Sequence, residues 1–325
     1  MDNRIVIRDI TLDDIDELVM LYDTIWPNVN YDKMGKVSFI LRSPNGINIC
    51  AISDGRIIGS RTSLSMNLHY HDTPITCIQY TDSCILKEFR RQGIFHKLNQ
   101  YSLNQFFRDG DLIFNISEPA SRMSHEKLGW SYINSFVSIF KITNLPSTLL
   151  NVNFNIRKLT NNRIWDTDQA NFEAISQQLL SSRNDNLHKR LFIKYDNNTL
   201  KWRFSSQSGI KVFSSEHGCI IFKIGHIDNT NVRIALIGEI MLHVYDKITV
   251  QNIIEKFIRT YHIDILQTYV TIGHPLYKLY RQIGFIHNPK HKFLNFGFRT
   301  NKEELHKTGI NPMNWGLCTI DLDTF

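Results

Sequence analysis

The stretch Ile85–Leu98, ILKEFRRQGIFHKL, constrains this chain more than any other. An apolar pair closes what reads as a strand. A basic, glycine-containing turn follows at Arg90, Arg91, Gln92 and Gly93, and a helical pattern opens at once with Ile94. A strand that stops at such a turn presents successive backbone N–H groups at the positive end of a helix dipole. That arrangement suits phosphate oxygens. Gly93 lets a ligand approach the backbone closely, and Arg90, Arg91 and His96 add positive charge. No Gly-Lys-Ser/Thr follows, so this is not a P-loop, and the glycine spacing is not that of GxGxxG. On the residues alone the junction reads as a pyrophosphate cradle.

The elements around the cradle alternate between strand and helix. NRIVIRDI alternates as a strand, and TLDDIDELVMLYDTIW follows with Thr11 as helix cap and Asp14 at the capping-box position. Two β-rich runs around Ser53-Asp54-Gly55 predict a hairpin. TPITCIQYTDSCIL is a strand into the cradle, DLIFNIS a strand beyond its helix, and SRMSHEKLG a short helix stopped by Gly129. The second half offers strand, helix, strand and short helix again. HEKLGW ends the short helix of the first half, and YRQIGF ends that of the second. The shared order of elements reads as a degenerate duplication. The stretch 145–160, with a proline, several asparagines and no helical period, is the best boundary. The expected domains are therefore 1–147 and 148–325.

Bulk properties narrow the partners. The 325 residues carry a net charge of +6, with dispersed lysines and arginines in place of a basic run. A cationic site for a phosphorylated small molecule explains that sign, and the footprint expected of a nucleic-acid binder is missing. No apolar run reaches a membrane span, and the N-terminus lacks an apolar signal core, so cytoplasmic residence is the expectation. The five cysteines are scattered without a CxxC, which argues against disulfides and against a metal site.

The cradle segment resembles the acyl-CoA-binding motif of the GNAT N-acetyltransferases, in which an Arg or Gln, two residues, Gly, one residue, then Gly or Ala hold the CoA pyrophosphate. Arg90, Gly93 and Phe95 stand at those positions, and Phe95 departs from the small-residue rule. DGRIIG on the hairpin and SHEKLGW, similar to the family's Tyr-x-x-Leu-Gly-Phe, support the likeness, and YRQIGF repeats that segment. The resemblance implies an α/β (α+β mixed sheet) GNAT fold with a second, degenerate GNAT-like domain that shapes the acceptor site. It also implies acetyl-CoA as cofactor and two strands, DSCIL and LIFNIS, that splay to admit the pantetheine arm. Ile85 would offer backbone hydrogen bonds to that arm. Arg91, Gln92, Gly93, Ile94, Phe95 and His96 would face the pyrophosphate, and Asn115 and Ser121 would lie where the second strand and helix approach. Asn115 reads equally as a strand-end residue bonded to its own loop.

The implied reaction is direct attack of an amine on the acetyl thioester. An amine of pKa about 7.7 is roughly one-sixth neutral at pH 7, so a carboxylate or a relayed water suffices as proton acceptor. Asp82, three residues before Ile85 in an otherwise apolar strand, is the first candidate base. His125 replaces the tyrosine that the family uses as proton donor, and imidazole can do that work near neutral pH. Tyr80 is expected to share Asp82's face and to contact substrate. Cys84 lies on that strand too, but nothing marks a base for it as a nucleophile.

In the second half, Glu239 sits in an apolar strand and is an alternative acceptor-side base. Trp202 and Arg203 in TLKWRF, with the tail NWGLCTIDLDTF, resemble segments of two-domain GNAT proteins similar to amino-sugar N-acyltransferases. Trp202 would stack on a base or sugar face, and Arg203 would pair with a diphosphate. The expected acceptor is a small-molecule amine, a nucleotide-linked amino sugar. The rival readings are an N-acetyltransferase for another amine or a protein, a CoA-binding module without turnover, and a tRNA-dependent aminoacyltransferase. An intact cradle argues against the last.

Overall fold

The computed structural model describes residues 5–27, 32–144, 163–166, 172, 175–204, 209–228, 230–289 and 292–322. In chain order the elements begin with β1 (Val6–Asp9), α1 (Ile15–Ile25), α2 (Lys33–Leu41), β2 (Ile49–Ser53), β3 (Arg56–Tyr70), β4 (Thr73–Ile85), α3 (Ile94–Phe106), β5 (Leu112–Ile116), α4 (Pro119–Lys127) and β6 (Ser131–Ile133). They continue with β7 (Phe136–Ile142), β8 (Arg163–Trp165), α5 (Gln177–Leu187), β9 (Leu191–Ile193), α6 (Asn197–Phe204), β10 (Ile210–Ser215), β11 (Gly218–Ile227) and β12 (Arg233–Leu242). The last are α7 (Lys247–Tyr261), β13 (Ile265–Thr271), α8 (Pro275–Gln282), β14 (Ile286–His287), β15 (Phe296–Thr300) and α9 (Glu303–Gly309).

Two compact units form. The first holds Met1–Leu68, Pro74–Ile133 and Asn295–Ile310; the second holds His69–Thr73, Asn134–Leu294 and Asn311–Phe325. Strand pairing, not chain order, sets this division. β15, from late in the chain, lies between β5 and β6 of the first unit, while β7 pairs with β13 and β14 of the second. The boundary expected between 147 and 148 falls outside the described residues, and both of these strands lie across it from the unit they complete.

The first unit's sheet runs β1-β2-β3-β4-β5-β15-β6. Thr11 and Asp14 form the expected capping box, and Arg8 clamps Asp14 through two bonds of 2.7 Å. The hairpin turn is a two-residue loop in which Ser53 faces Arg56 and both Asp54 and Gly55 have positive φ, the geometry of a type I′ turn. Leu18, Leu21 and Tyr22 of α1, Val37 of α2, and Ile94 and Leu98 of α3 pack on Ile49, Ile57, Ile58 and Ile85. α2 lies in a stretch where no element was expected.

The second unit's sheet runs β10-β11-β12-β13-β7-β14, with β8 on β11. Its order of pairings repeats the first: an antiparallel set, then one parallel step, β4 to β5 in the first unit and β12 to β13 in the second. The short helices end alike as well. Trp130 N donates to His125 O and Gly129 N to Glu126 O; Phe285 N donates to Tyr280 O and Gly284 N to Arg281 O. Both glycines have positive φ, +80° and +96°. These are paired Schellman caps, so HEKLGW and YRQIGF are the same turn twice.

Candidate active site

The site in the first unit begins where two strands part. β4 pairs with β5 from Cys77–Leu112 to Gln79–Phe114 and no further. β5 runs on through Asn115 and Ile116 with its other edge still held by β15. β4 runs on from Tyr80 to Ile85. A bulge turns β4 at this point. Tyr80 donates to Ser102 of α3 and stacks on Trp130, and Ser83 receives Arg61, all on one face. Thr81, bonded to Thr62, and Cys84, against Ser60, lie on the other face, where Asp82 pairs with Lys36 of α2. Two successive residues, Thr81 and Asp82, thus share a face, as a bulge requires, and the strand bends away from its neighbour. Tyr80 and Asp82 do not share a face as the plain alternation had implied. Tyr80 is fully buried and is a core residue, not a substrate contact.

The cradle forms at the end of β4. Arg91 has φ +64° and Gly93 φ +73°, and Gly93 caps α3. Left-handed backbone at an arginine is uncommon and marks a turn held for a purpose. A Cβ built on Gly93 meets nothing within 4 Å, so the space above it is open. Arg90, Arg91, Gln92, Gly93 and His96 are exposed, and the first amides of α3 have no intrahelical acceptor. This fits a pyrophosphate. Ile94 instead anchors the helix in the core, and Arg90 folds back to donate from Nε to Ile85 O at 3.0 Å. That carbonyl, expected to meet the pantetheine, is therefore already bonded. Ser121 lies in the first turn of α4, where its N–H bonds to Glu118 O.

A directed chain of hydrogen bonds lies beside the parting. Arg61 of β3 is fully buried with no carboxylate partner among the described residues; Nη1 donates to Ser83 at 2.7 Å and Nη2 lies 3.3 Å from His125 Nε2. Arginine can only donate, so His125 Nε2 accepts and the neutral ring carries its proton on Nδ1. Nδ1 lies 2.8 Å from Tyr132 Oη, and Tyr132 donates in turn to Ser117 Oγ at 2.9 Å. Asn115 also donates to Ser117, at 3.3 Å. Gly297 makes this reach possible. It stands between Tyr132 and Asn115 in one row across the sheet, and a Cβ there would come within 2.9 Å of the Tyr132 ring.

Burial, with Arg61 beside it, pushes His125 down to about 3. Near neutral pH it is a neutral ring sealed between Trp130, at 4.7 Å, and Phe95, at 5.6 Å. The structure therefore places His125 as a link to Tyr132, not as the imidazolium expected to protonate a thiolate. Arg61, Ser117 and Tyr132 were missed by the sequence reading. Arg61 is a charge within a strand too, but its neighbours in GSRTSLS are polar and it lacks the apolar setting that marked Asp82. Burial pushes the Cys84 thiol up to about 12, so it is no nucleophile.

The residues proposed in the second unit lie apart from a site. Arg203 is buried and donates to Leu322 O at 2.6 Å, which turns it inward and away from a diphosphate. Trp202 is half-buried on α6, a helix. Glu239 is sealed: Arg183 Nε donates to it at 2.8 Å and Cys318 Sγ at 3.1 Å. Burial alone would raise its carboxyl, but Arg183 and His274 outweigh that and hold it at about 2. Glu239, His274 and Cys318 have metal-ligand side chains within 4.8 Å of one another. They do not fit a metal. His274 Nδ1 accepts from Leu276 N–H at 3.2 Å, so the nitrogen facing Glu239 holds the proton, and Arg183 already occupies that carboxylate.

Residues 6–133 match the family model of the acetyltransferase (GNAT) domain. The chain carries a GNAT acetyltransferase domain. No curated protein matches the sequence. Among solved structures, a GCN5-related N-acetyltransferase from Anabaena variabilis covers 91% of this chain and 73% of its own at 12% identity, with TM-score 0.64. N-myristoyltransferase of Saccharomyces cerevisiae with bound myristoyl-CoA covers 92% and 79% at 12% identity, TM-score 0.59. A fungal GCN5-related glucosamine N-acetyltransferase region, within a multi-domain β-N-acetylglucosaminidase, covers 92% of this chain and 38% of its own at 13% identity, TM-score 0.56. Identities this low establish the fold, a mixed α/β GNAT architecture extending over both sheets. No described helix is long and apolar enough to cross a membrane.

Proposed function

We propose that this chain is an acetyl-CoA-dependent N-acetyltransferase that works by direct attack of an amine. The observation that carries the reading is the parting of β4 from β5 above a glycine-capped helix start. Arg91 through His96 would hold the pyrophosphate, and the free edges of the parted strands would hold an extended arm between them. The cofactor supplies an activated acetyl group as a thioester. The chain supplies position and proton handling. A C–N bond forms as the C–S bond breaks; one proton leaves the amine and one is returned to sulfur.

Asp82 is the proposed acceptor of the amine proton. Its partner Lys36 keeps the carboxylate in place, and it remains partly open, with a side chain 14% exposed. Tyr132 is the proposed donor to sulfur, in the role first given to His125. Burial pushes its phenol up, so it holds its proton at neutral pH, and His125 Nδ1–H, donating to Tyr132 Oη, would stabilise the phenolate left when that proton passes to sulfur. Arg61 fixes the tautomer that makes His125 a donor.

The proposed acceptor is an amino sugar, nucleotide-linked as the sequence suggests. The likeness to a glucosamine N-acetyltransferase region favours a sugar amine. The nucleotide part now lacks Arg203 and rests on half-buried Trp202. A thermal-shift assay with acetyl-CoA, followed by thiol release against a panel of free and nucleotide-linked amino sugars, polyamines and peptides, tests this reading. We expect a shift and release on an amino sugar. Release only on another amine would overturn the acceptor, and no shift would overturn the enzyme.

A further inference from the structure

The second unit has the same parting, and something lies in it. β12 pairs with β13 from Ile234–Ile265 to Ile237–Thr268. β13 then runs on through Tyr269–Thr271 with its other edge still held by β7. β12 has its own irregularity here: across from it on β11, Phe222 faces Ile237 and Ile221 faces Glu239, so Gly238 is the extra residue of a bulge. This is the first unit's parting repeated, bulge included.

The edge freed on β13 is taken by the chain itself. Thr271 N donates to Leu317 O at 2.8 Å, and Leu317 N returns a bond to Thr271 Oγ1 at 2.9 Å. Tyr269 N donates to Thr319 Oγ1 at 2.8 Å, and Val270 and Cys318 form an antiparallel bridge. On the β12 side, Cys318 Sγ donates to Glu239. Residues Trp315, Leu317, Cys318, Thr319, Ile320, Asp321 and Leu322 are all buried. Asp321 accepts Cys318 N at 2.8 Å and Tyr195 Oη at 3.0 Å, and lies 3.8 Å from Arg183 Nη2. Arg183 thus ties β12 and the tail into one buried ionic cluster.

We propose that the segment Trp315–Leu322 is the second unit's permanent occupant, an amide-bearing chain that is extended as far as Cys318, closes in a 3-10 turn over Thr319–Asp321, and is held where the first unit would take an acyl-CoA arm. The second unit then binds no acyl-CoA, and the protein takes one per chain. Freed strand edges away from water need hydrogen-bonding partners, and a peptide tail supplies them in one unit as an amide-bearing ligand would in the other. The segment is built to stay. Releasing it would part Asp321 from Arg183 and Cys318 from Glu239 while Arg183 and Glu239 keep each other, and breaking a buried charge cluster is strongly opposed. Glu239, a candidate base in the sequence, is on this account a clamp.

Hydrogen–deuterium exchange of the full chain with and without acetyl-CoA tests the proposal. Peptides covering 266–272 and 315–322 are expected to exchange slowly and to be unchanged by the ligand. Peptides covering 80–86 and 112–117 are expected to exchange faster and to slow at least several-fold when it binds. Fast exchange of 315–322 in the free protein would overturn the proposal, as would ligand-dependent slowing in 266–272. The count of one acyl-CoA rests on the function proposed above, and the two fail separately. Slow tail peptides with no ligand effect anywhere would uphold the seal and overturn the acyl-CoA reading.

Discussion

The two partings start from one plan and end differently. In each, a bulged strand leaves its parallel neighbour while that neighbour stays paired on its far edge. Beside the first parting stand exposed left-handed backbone at Arg91 and Gly93, a part-open Asp82–Lys36 pair and a buried Arg61 bonded to Ser83 and His125. Within the second lie a buried peptide and a closed Arg183–Glu239–Asp321 cluster. On the proposal made above, the same backbone device is a binding slot in the first unit, and it is core in the second, where the chain itself fills it.

The largest expected effect sharpens that contrast in stability. Arg183→Leu leaves two carboxylates buried without a cation, and denaturant melts should show a loss of about 3–5 kcal/mol. Asp82→Asn breaks a partly solvated pair and should cost no more than about 1 kcal/mol in the same melts. Equal costs would mean that the first site is as closed as the second. In rate the order reverses: Asp82→Asn should lower kcat/KM by roughly 100-fold or more with acetyl-CoA affinity unchanged.

Gly297→Val should push the Tyr132 ring off its row and cut kcat by on the order of 100-fold, as should Tyr132→Phe. Steady-state kinetics of the double variant would show whether the two act through one group. If Gly297→Val loses rate that Tyr132→Phe keeps, Tyr132 is not the donor.

Acid should weaken the His125 site before the Glu239 cluster. His125 is held at about 3 in the fold against an ordinary value near 6.5, so the unfolded chain takes up this proton first. Its contribution is complete above about pH 6.5 and falls by roughly 1.4 kcal/mol per pH unit below that, toward pH 3. Glu239, held at about 2, gives a contribution that persists down to about pH 4.5 and is lost only below it. Stability measured against pH for His125→Phe should show a shallower slope between pH 6.5 and 4.5, the remainder coming from His69 and His287, which burial also holds low. An unchanged slope would place the titrating group elsewhere.

Much of the first unit was legible in the sequence because its signals are local. The Asp54-Gly55 turn, the Thr11–Asp14 box, the Gly93 junction and the two glycine-stopped helices each follow from a few neighbouring residues. What escaped is non-local. The bulge that separates Tyr80 from Asp82 has no residue signature, and strict alternation put them on one face. The relay joins residues from β3, α4, β6 and the turn after β5, linked only by folding. The exchange of β7 and β15 between units is invisible to any reading that cuts the chain once. Glu239 and Asp82 looked alike as acids in apolar strands; what divides them is a tail 79 residues beyond Glu239 at Cys318.

The most direct test of the account is the stoichiometry of acetyl-CoA binding by isothermal titration, for the natural chain and for Gly93→Val. Gly93 has left-handed backbone and open space above it, so valine strains the turn by about 1–2 kcal/mol and fills the cradle. The account predicts one site per chain, weakened at least 10-fold by Gly93→Val. Two sites, or one site that Gly93→Val leaves untouched, would contradict it.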